Sequence, residues 1–142
     1  MVTLEDTIVF ATQLHNGQKD KAGAPYILHV LRVMLQMKTE QERIVALLHD
    51  VAEDCNITLE PMMGFGQEVM DAVDCLTKRP QEEHNYDAFI QRIASGPALA
   101  RRVKIADLRD NSDLTRFAQP TEADRRRCLK YHRALAILTS LE

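Results

Sequence analysis

The sequence predicts an all-α fold, with one domain over residues 1–142 built from about seven helices. Two observations favour this fold class. Apolar residues recur at spacings of three and four through most of the chain, which is the period of an amphipathic helix, while the alternation typical of strands is nearly absent. The composition, with 45% hydrophobic and 27% charged residues, is that of an ordinary globular domain.

Three helices are predicted in the first half of the chain. Thr3 and Thr39 are each followed three residues later by an acidic residue, a pattern typical of helix N-termini because the two side chains cap each other's backbone N–H groups. A polar loop over residues 18–25 separates the first two helices. The predicted helices run from Thr3 to about His15, from Tyr26 to about Met37, and from Thr39 to about Asp54.

Glycine and proline divide the second half of the chain. Gly64 and Gly66 indicate one break, and the tripeptide over 95–97 indicates another. The polar stretch over 77–85 is short and has helical patterns on both sides, so we expect it to connect helices of the same domain. The predicted helices are a short one over Thr58–Met63, then Gln67–Leu76, Tyr86–Ala94, a long helix from Pro97 to about Asp113, and a last one from Thr121 to about Leu141.

Charge, cysteine content and hydropathy exclude several classes of function. A net charge of −3 provides no overall basic field for binding nucleic acid. The three cysteines are widely spaced, which is typical neither of a disulfide framework nor of a zinc ribbon. No apolar run reaches the length of a membrane span, and the first residues do not follow the pattern of a secretory signal. We therefore expect a cytoplasmic protein that binds neither membrane nor nucleic acid.

The most informative segment is ALLHDVAED, residues 46–54. It contains four ionisable residues within six positions of an otherwise apolar helix. Burying such charges costs several kcal/mol each unless they are paired or bind a cation. His49 lies four residues before Glu53, and Asp50 lies four before Asp54, so each pair shares a helix face. Taken alone, the segment could equally be the solvated acidic end of an amphipathic helix.

A second polar group lies on the predicted helix over 97–113. Lys104, Asp107 and Asn111 follow each other at spacings of three and four and therefore share one face. This face alone is more typical of a surface salt-bridge ladder, and His29 alone is an ordinary helix residue. An early His, a central His-Asp pair and a late Asp on three apolar helices together indicate a metal site with imidazole and carboxylate ligands, which suits Mn²⁺, Fe²⁺ or Zn²⁺. Open positions on such a metal would bind water and a phosphate oxygen, which favours phosphoester hydrolysis.

The order His, His-Asp, Asp resembles the HD superfamily of metal-dependent phosphohydrolases. Within it, the chain is most similar to the hydrolase domain of the Rel/Spo enzymes, which degrade the alarmone (p)ppGpp. The resemblance covers nearly the whole chain and rests on five segments: HNGQKDKAGAPYILH (15–29), ALLHDVAEDCNIT (46–58), FG (65–66), LTK (76–78) and VKIADLRDN (103–111).

This resemblance implies an HD-type helical bundle that hydrolyses a nucleotide, in the most specific form the 3′-pyrophosphate of (p)ppGpp. It implies that Glu53 and Asp54 are the catalytic acidic pair that positions and activates the attacking water. The implied metal ligands, with Mn²⁺ as the expected ion and Fe²⁺ or Zn²⁺ as alternatives, are His29, His49, Asp50 and Asp107. The implied substrate-binding residues are Lys21, Tyr26, Lys104 and Asn111.

The chain also departs from the family pattern. Asp20 stands where the alarmone hydrolases commonly have a basic residue facing the base, and Asp110 stands where an aromatic residue or His is commoner. The first departure favours an alternative in the same class, an HD-type nucleotidase or phosphatase for another nucleotide. A second alternative is a nucleotide-binding sensor without turnover, although the presence of Glu53 and Asp54 favours an enzyme. The sequence leaves open whether identical chains assemble.

Overall fold

The computed structural model describes residues 2–142 as a helical bundle, and the predicted all-α fold is confirmed. Residues 2–142 contain no strand, and an isolated antiparallel bridge joins Lys19 to Pro25. None of the described helices is both long and apolar enough to cross a membrane. The α-helices are α1 (Leu4–Leu14), α2 (Tyr26–Leu35), α3 (Glu40–Leu48), α4 (Val51–Asp54), α5 (Gln67–Leu76), α6 (Tyr86–Ala94), α7 (Ala98–Asn111) and α8 (Glu122–Thr139).

Reciprocal side-chain caps fix the starts of three α-helices. The hydroxyl groups of Thr3 and Thr39 accept hydrogen bonds from the third residue of α1 and α3, and the acidic side chain there accepts a bond from the cap backbone, as the sequence predicted. Thr121 makes the same reciprocal cap with Asp124 at the start of α8. Each cap satisfies backbone donors that the first helical turn leaves without a partner.

Several boundaries differ from the predictions by a few residues. Helix α2 ends at Leu35 rather than near Met37, because the N–H groups of Gln36 and Met37 bond to carbonyls three residues back and tighten the last turn. Helix α7 ends at Asn111 rather than near Asp113. Three single-turn 3₁₀ helices lie in the connections, at Pro61–Met63, Pro80–Glu82 and Leu114–Arg116.

The predicted continuous helix from Thr39 to about Asp54 is wrong at its centre. Helix α3 ends at Leu48, and α4 begins at Val51 after Asp50, whose φ of −109° and ψ of 4° are not helical. On a continuous helix, consecutive side chains point about 100° apart. The break instead brings His49 Nε2 to within 2.9 Å of Asp50 Oδ2. The two adjacent polar residues therefore face one point.

Helix α3 lies at the centre of the bundle and packs against α1, α2, α5 and α7. Its residues from Ile44 to Leu48 are all buried, and they belong to one contiguous apolar cluster that includes Val30 and Val33 of α2 and Val103 and Leu108 of α7. Because His49 and Asp50 directly follow this buried helix, the packing of α3 fixes where these two polar residues lie.

Truncation of the core should test this arrangement. We expect Leu47→Ala to lower the free energy of unfolding by about 2–5 kcal/mol, because Leu47 is fully buried and the substitution leaves a cavity. Leu35→Ala is the matched control, since Leu35 is 73% exposed, and it should change the free energy by less than about 0.5 kcal/mol. Urea denaturation of both variants measures the difference, and equal effects would contradict the central position of α3.

Candidate active site

The structure brings the four predicted metal ligands together. His29 comes from α2, His49 and Asp50 from the junction between α3 and α4, and Asp107 from α7. One potential ligand atom from each lies within 4.8 Å of all the others. His29 Nε2 is 3.0 Å from Asp107 Oδ1, and His49 Nε2 is 3.3 Å from the same oxygen. The cluster has the size and donor chemistry of a site for one transition-metal ion.

Both imidazole rings are oriented by a bond on their far side. His29 Nδ1 lies 2.6 Å from Asp110 Oδ2, and His49 Nδ1 lies 2.5 Å from the carbonyl oxygen of Ala46. Each Nδ1 therefore donates to a fixed acceptor, which leaves Nε2 directed at the cluster. His29 Nε2 is buried and makes no hydrogen bond within residues 2–142. Histidine ligands of metal sites are typically oriented in this way.

Asp107 is held by neighbours on its own helix. Lys104 Nζ donates to Asp107 Oδ2 at 2.9 Å, and Asn111 Nδ2 donates to Asp107 Oδ1 at 3.0 Å. Burial opposes ionisation, but Lys104 and His49 hold the pKa of the Asp107 carboxyl well below its ordinary value of 3.8. Lys104 and Asn111, which the sequence predicts to bind substrate, thus each contact a predicted metal ligand as well.

Without a cation, the two histidines attract protons. Burial lowers the pKa of His29, but the contacts with Asp107 and Asp110 outweigh it and raise the pKa to about 9. Burial of His49 is likewise outweighed by Asp50 and Asp107, so its pKa lies well above 6.5. In the metal-free protein, protons on the two imidazoles therefore occupy the positions that a divalent cation would take. The cluster favours positive charge whether protons or a metal ion supply it.

The predicted acidic pair, Glu53 and Asp54, lies beside the cluster on α4. The backbone N–H of Lys78 donates to Glu53 Oε1 at 2.5 Å. The Tyr26 hydroxyl donates to Asp50 Oδ2, and burial together with the Asp50 carboxylate raises the pKa of Asp54. The pair therefore contributes two carboxyl groups in different environments, and only that of Asp54 has a pKa raised by burial and by the neighbouring Asp50.

These groups line a cavity of about 450 Å³, large enough for a nucleotide. Both acidic and basic side chains line it. The basic ones lie close together, since burial and the neighbouring cations Lys78, Lys21 and Arg127 lower the pKa of Lys130. A pocket with a candidate metal site and a group of cations suits a ligand that carries several phosphates. All ten site residues predicted from the sequence line it: Lys21, Tyr26, His29, His49, Asp50, Glu53, Asp54, Lys104, Asp107 and Asn111.

Comparison with known proteins identifies the same kind of domain. No model of a known protein family matches the sequence. The guanosine-3′,5′-bis(diphosphate) 3′-pyrophosphohydrolase of Aquifex aeolicus is 35% identical over 113 residues, which cover 72% of this chain and 16% of that protein. The enzyme of the same name from Vibrio cholerae is 40% identical over 80 residues, 53% of this chain and 11% of that protein. The chain thus spans less than a fifth of the length of these curated relatives.

A solved structure described as a metazoan ortholog of SpoT that hydrolyses ppGpp matches the fold with a TM-score of 0.80 and 25% identity, over 97% of this chain and 86% of that one. This chain is an HD-type domain of the Rel/Spo hydrolase group. The resemblance found in the sequence is confirmed. The HD domain has the helical architecture of that structural match, with the predicted polar cluster at the centre of the bundle.

Asp20 of this HD domain does not present a free carboxylate to the pocket. Its Oδ1 accepts hydrogen bonds from the backbone N–H groups of Ala22 and Ala24, at 2.9 and 3.0 Å. Its Oδ2 accepts one from Arg116 Nη1 at 3.0 Å. Arg116 lines the pocket, so the acidic residue at this position is paired with a pocket guanidinium that the sequence analysis did not identify.

Several other residues of this pocket were not predicted from the sequence. Lys78 and three residues of α8, Arg127, Lys130 and Tyr131, line it. The α8 residues are spaced by three and four and so share a helix face, a signal that was present in the sequence. Asp110 was noted in the sequence only as a departure from the family pattern, and its contact with His29 was not predicted because the two residues are 81 positions apart.

The pKa of His29 predicts how pH and metal act together. In the metal-free protein this pKa is about 9, against an ordinary value of 6.5, so between these values the folded state binds more protons than the unfolded state. The resulting stabilisation, on the order of 3 kcal/mol, is complete below pH 6.5 and is lost as the pH rises through 9. The raised pKa of His49 acts in the same direction.

Denaturation of the metal-free protein between pH 6 and pH 9.5 should therefore give a free energy of unfolding that falls as the pH rises. The stabilisation produced by added Mn²⁺ should rise over the same interval, because a metal binds the neutral imidazoles. A free energy of unfolding that rises with pH in the metal-free protein would contradict the protonation of the cluster.

Proposed function

We propose that this HD domain is a metal-dependent phosphohydrolase that removes the 3′-pyrophosphate of (p)ppGpp. The observation that supports it most is the position of the four-residue cluster on the wall of a nucleotide-sized, cation-lined pocket. The names of the curated relatives and of the structural match give the substrate. The activity is a proposal because the chain spans only a small part of those relatives.

The metal ligands in this proposal are His29, His49, Asp50 and Asp107, with Mn²⁺ as the expected ion and Fe²⁺ or Zn²⁺ as alternatives. Two imidazole nitrogens and carboxylate oxygens suit these ions better than Mg²⁺ or Ca²⁺, which favour oxygen ligands. The buried Nε2 of His29, which lies 3.0 Å from Asp107 Oδ1 without a hydrogen bond to it, supports the assignment. When bound, the ion would lower the pKa of a water ligand and offset negative charge on the phosphoryl group.

Two acidic residues of the chain would orient the attacking water and accept its proton. Glu53 is the proposed general base, since the hydrogen bond from Lys78 N–H holds one carboxylate oxygen and leaves the other to accept a proton. Asp54 would orient the water, and the Tyr26 hydroxyl would orient Asp50. Hydrolysis breaks the bond between the 3′ oxygen and the pyrophosphate, and water supplies the oxygen and the proton that complete the products.

Cations on the pocket wall would bind the phosphates. Lys21 belongs to the loop before α2. Burial and the neighbouring cations Lys78, Lys21 and Arg127 lower the pKa of Lys130, so these positive charges lie close together. Three or more cations beside one cavity favour a ligand with several negative charges. Lys104 and Asn111 would both hold Asp107 and contact the substrate, because they line the pocket and bond to that carboxylate.

A second candidate is hydrolysis of another nucleotide, favoured by Asp20. Asp20 lines the pocket at the position where the resemblance implies a basic residue facing the base, and its bonds to Arg116, Ala22 and Ala24 occupy both of its oxygens. A sensor without turnover is disfavoured, because Glu53 and Asp54 are both present. One domain over 1–142, a cytoplasmic location, no binding of nucleic acid and a possible assembly of identical chains stay predictions.

Purified protein with Mn²⁺ should release pyrophosphate from ppGpp and lose this activity on chelation. The assay should include GTP, GDP, ATP and nucleoside monophosphates at equal concentration, with pyrophosphate, phosphate and nucleoside products measured separately. Turnover of ppGpp with pyrophosphate as product supports the proposed substrate. Turnover of another nucleotide with none of ppGpp would replace it by the second candidate.

Glu53→Gln separates catalysis from metal binding. We expect kcat to fall by about 100-fold or more, because the amide keeps the shape of Glu53 but cannot accept the proton. Mn²⁺ affinity measured by calorimetry should stay within about threefold of the wild type, since Glu53 is not a proposed ligand. Glu83→Gln, at an exposed position outside the pocket, is the matched control. Wild-type kcat in Glu53→Gln would contradict the role of Glu53.

A further inference from the structure

Asp110 is a buried carboxylate one helical turn beyond Asp107, and it lies behind His29 rather than in the metal cluster. Its Oδ2 is 2.6 Å from His29 Nδ1. Arg32 donates two hydrogen bonds to the same carboxylate, from Nε to Oδ1 at 2.7 Å and from Nη2 to Oδ2 at 3.1 Å. A buried carboxylate with this many donors has a fixed position and a fixed charge.

This contact decides which nitrogen of His29 faces the cluster. With Nδ1 committed to Asp110, only Nε2 is free to act as a ligand, and it lies 3.0 Å from Asp107 Oδ1 and 4.0 Å from Asp50 Oδ2. The other histidine, His49, relies on a backbone carbonyl that no substitution of a side chain can remove. Orientation of His29 therefore depends on one side chain.

The same carboxylate has a second cationic neighbour. Arg116 Nη2 donates to the backbone oxygen of Asp110 at 3.0 Å and lies 3.8 Å from Asp110 Oδ2. Arg116 Nη1 donates to Asp20, in the loop that precedes α2. Arg32 and Arg116 thus balance the charge of Asp110, and Arg116 joins it to the loop that carries Lys21.

We propose that Asp110 is a positioning residue that holds His29 in the orientation and tautomer needed to bind the metal, with Arg32 fixing Asp110 in turn. The inference rests on the metal site of the proposed function but not on the substrate. Asp110 itself is not a ligand, since its carboxylate lies on the opposite side of the imidazole ring from the cluster. Removal of such an outer carboxylate typically weakens metal binding by 10–100-fold.

The first test compares Asp110→Asn with Asp87→Asn, a control at an exposed position of α6 whose side chain makes no hydrogen bond or ion pair with the described residues. Calorimetric titration of the metal-free proteins with Mn²⁺ should give a Kd raised by about 10–100-fold in Asp110→Asn and unchanged in Asp87→Asn. Circular dichroism establishes that each variant is folded. A folded Asp110→Asn with wild-type Mn²⁺ affinity would overturn the proposal.

Arg32→Gln covers the case in which Asp110→Asn does not fold. Arg32 is 35% exposed at its side chain and contacts Asp110 but none of the proposed ligands. We expect its loss to raise the Kd for Mn²⁺ by several-fold, less than Asp110→Asn, because Asp110 keeps its bond to His29 but loses its support. If Asp110→Asn is unfolded and Arg32→Gln binds Mn²⁺ as the wild type does, the proposal is wrong.

Nuclear magnetic resonance of the metal-free protein separates this inference from the proposed function. The hydrogen-bonded Nδ1 proton of His29 should resonate far downfield in the wild type and in Asp87→Asn, and should shift upfield in Asp110→Asn. If the wild-type protein does not hydrolyse ppGpp but the three proteins show these resonances, ppGpp is not the substrate and the role of Asp110 still holds. An identical Nδ1 resonance in the wild type and in Asp110→Asn would reject the role of Asp110 whether or not the protein cleaves ppGpp.

Discussion

Two imidazoles and two carboxylates meet where α2, α3 and α7 pack together, and the surrounding structure is organised by the cost of burying them. His29, His49 and Asp107 are each no more than 3% exposed. Ionised groups at such positions cost several kcal/mol unless each has a partner. Here the partners are Asp110, Lys104 and the carbonyl of Ala46. Each of them leaves one ligand atom directed at the same point, so the arrangement that neutralises the buried charges is also the one that can bind a cation.

Local signals in the sequence were enough to predict most of the fold and the centre of the site. Helix starts followed from capping patterns, and the apolar surroundings of His49 and Asp50 identified those two residues as unusual. His29 and Asp107 depended on the resemblance, because each alone is an ordinary helix residue. The helix break at Asp50 was missed since it depends on the conformation of one residue between two helical segments. Asp110 was missed because its contact with His29 joins distant parts of the chain.

Asp20 illustrates why the meaning of a single departure from a family pattern depends on the fold. From the sequence alone, Asp20 replaces the basic residue that the family commonly places beside the base of the nucleotide. In the structure it binds Arg116, 96 positions away, and two backbone N–H groups of its own loop. The same guanidinium donates to the backbone oxygen of Asp110 and lies 3.8 Å from its carboxylate, at the site of the other departure from the family pattern. The two acidic residues thus belong to one network, which spacing along the chain does not reveal.

The most direct test of a metal centre at this position is a crystal structure of the protein grown with Mn²⁺, with anomalous diffraction measured on both sides of the manganese absorption edge. We expect one strong anomalous peak per chain, within coordination distance of Nε2 of His29 and of His49 and of carboxylate oxygens of Asp50 and Asp107. An absent peak, or a peak bound elsewhere while these four residues keep their mutual contacts, would contradict it.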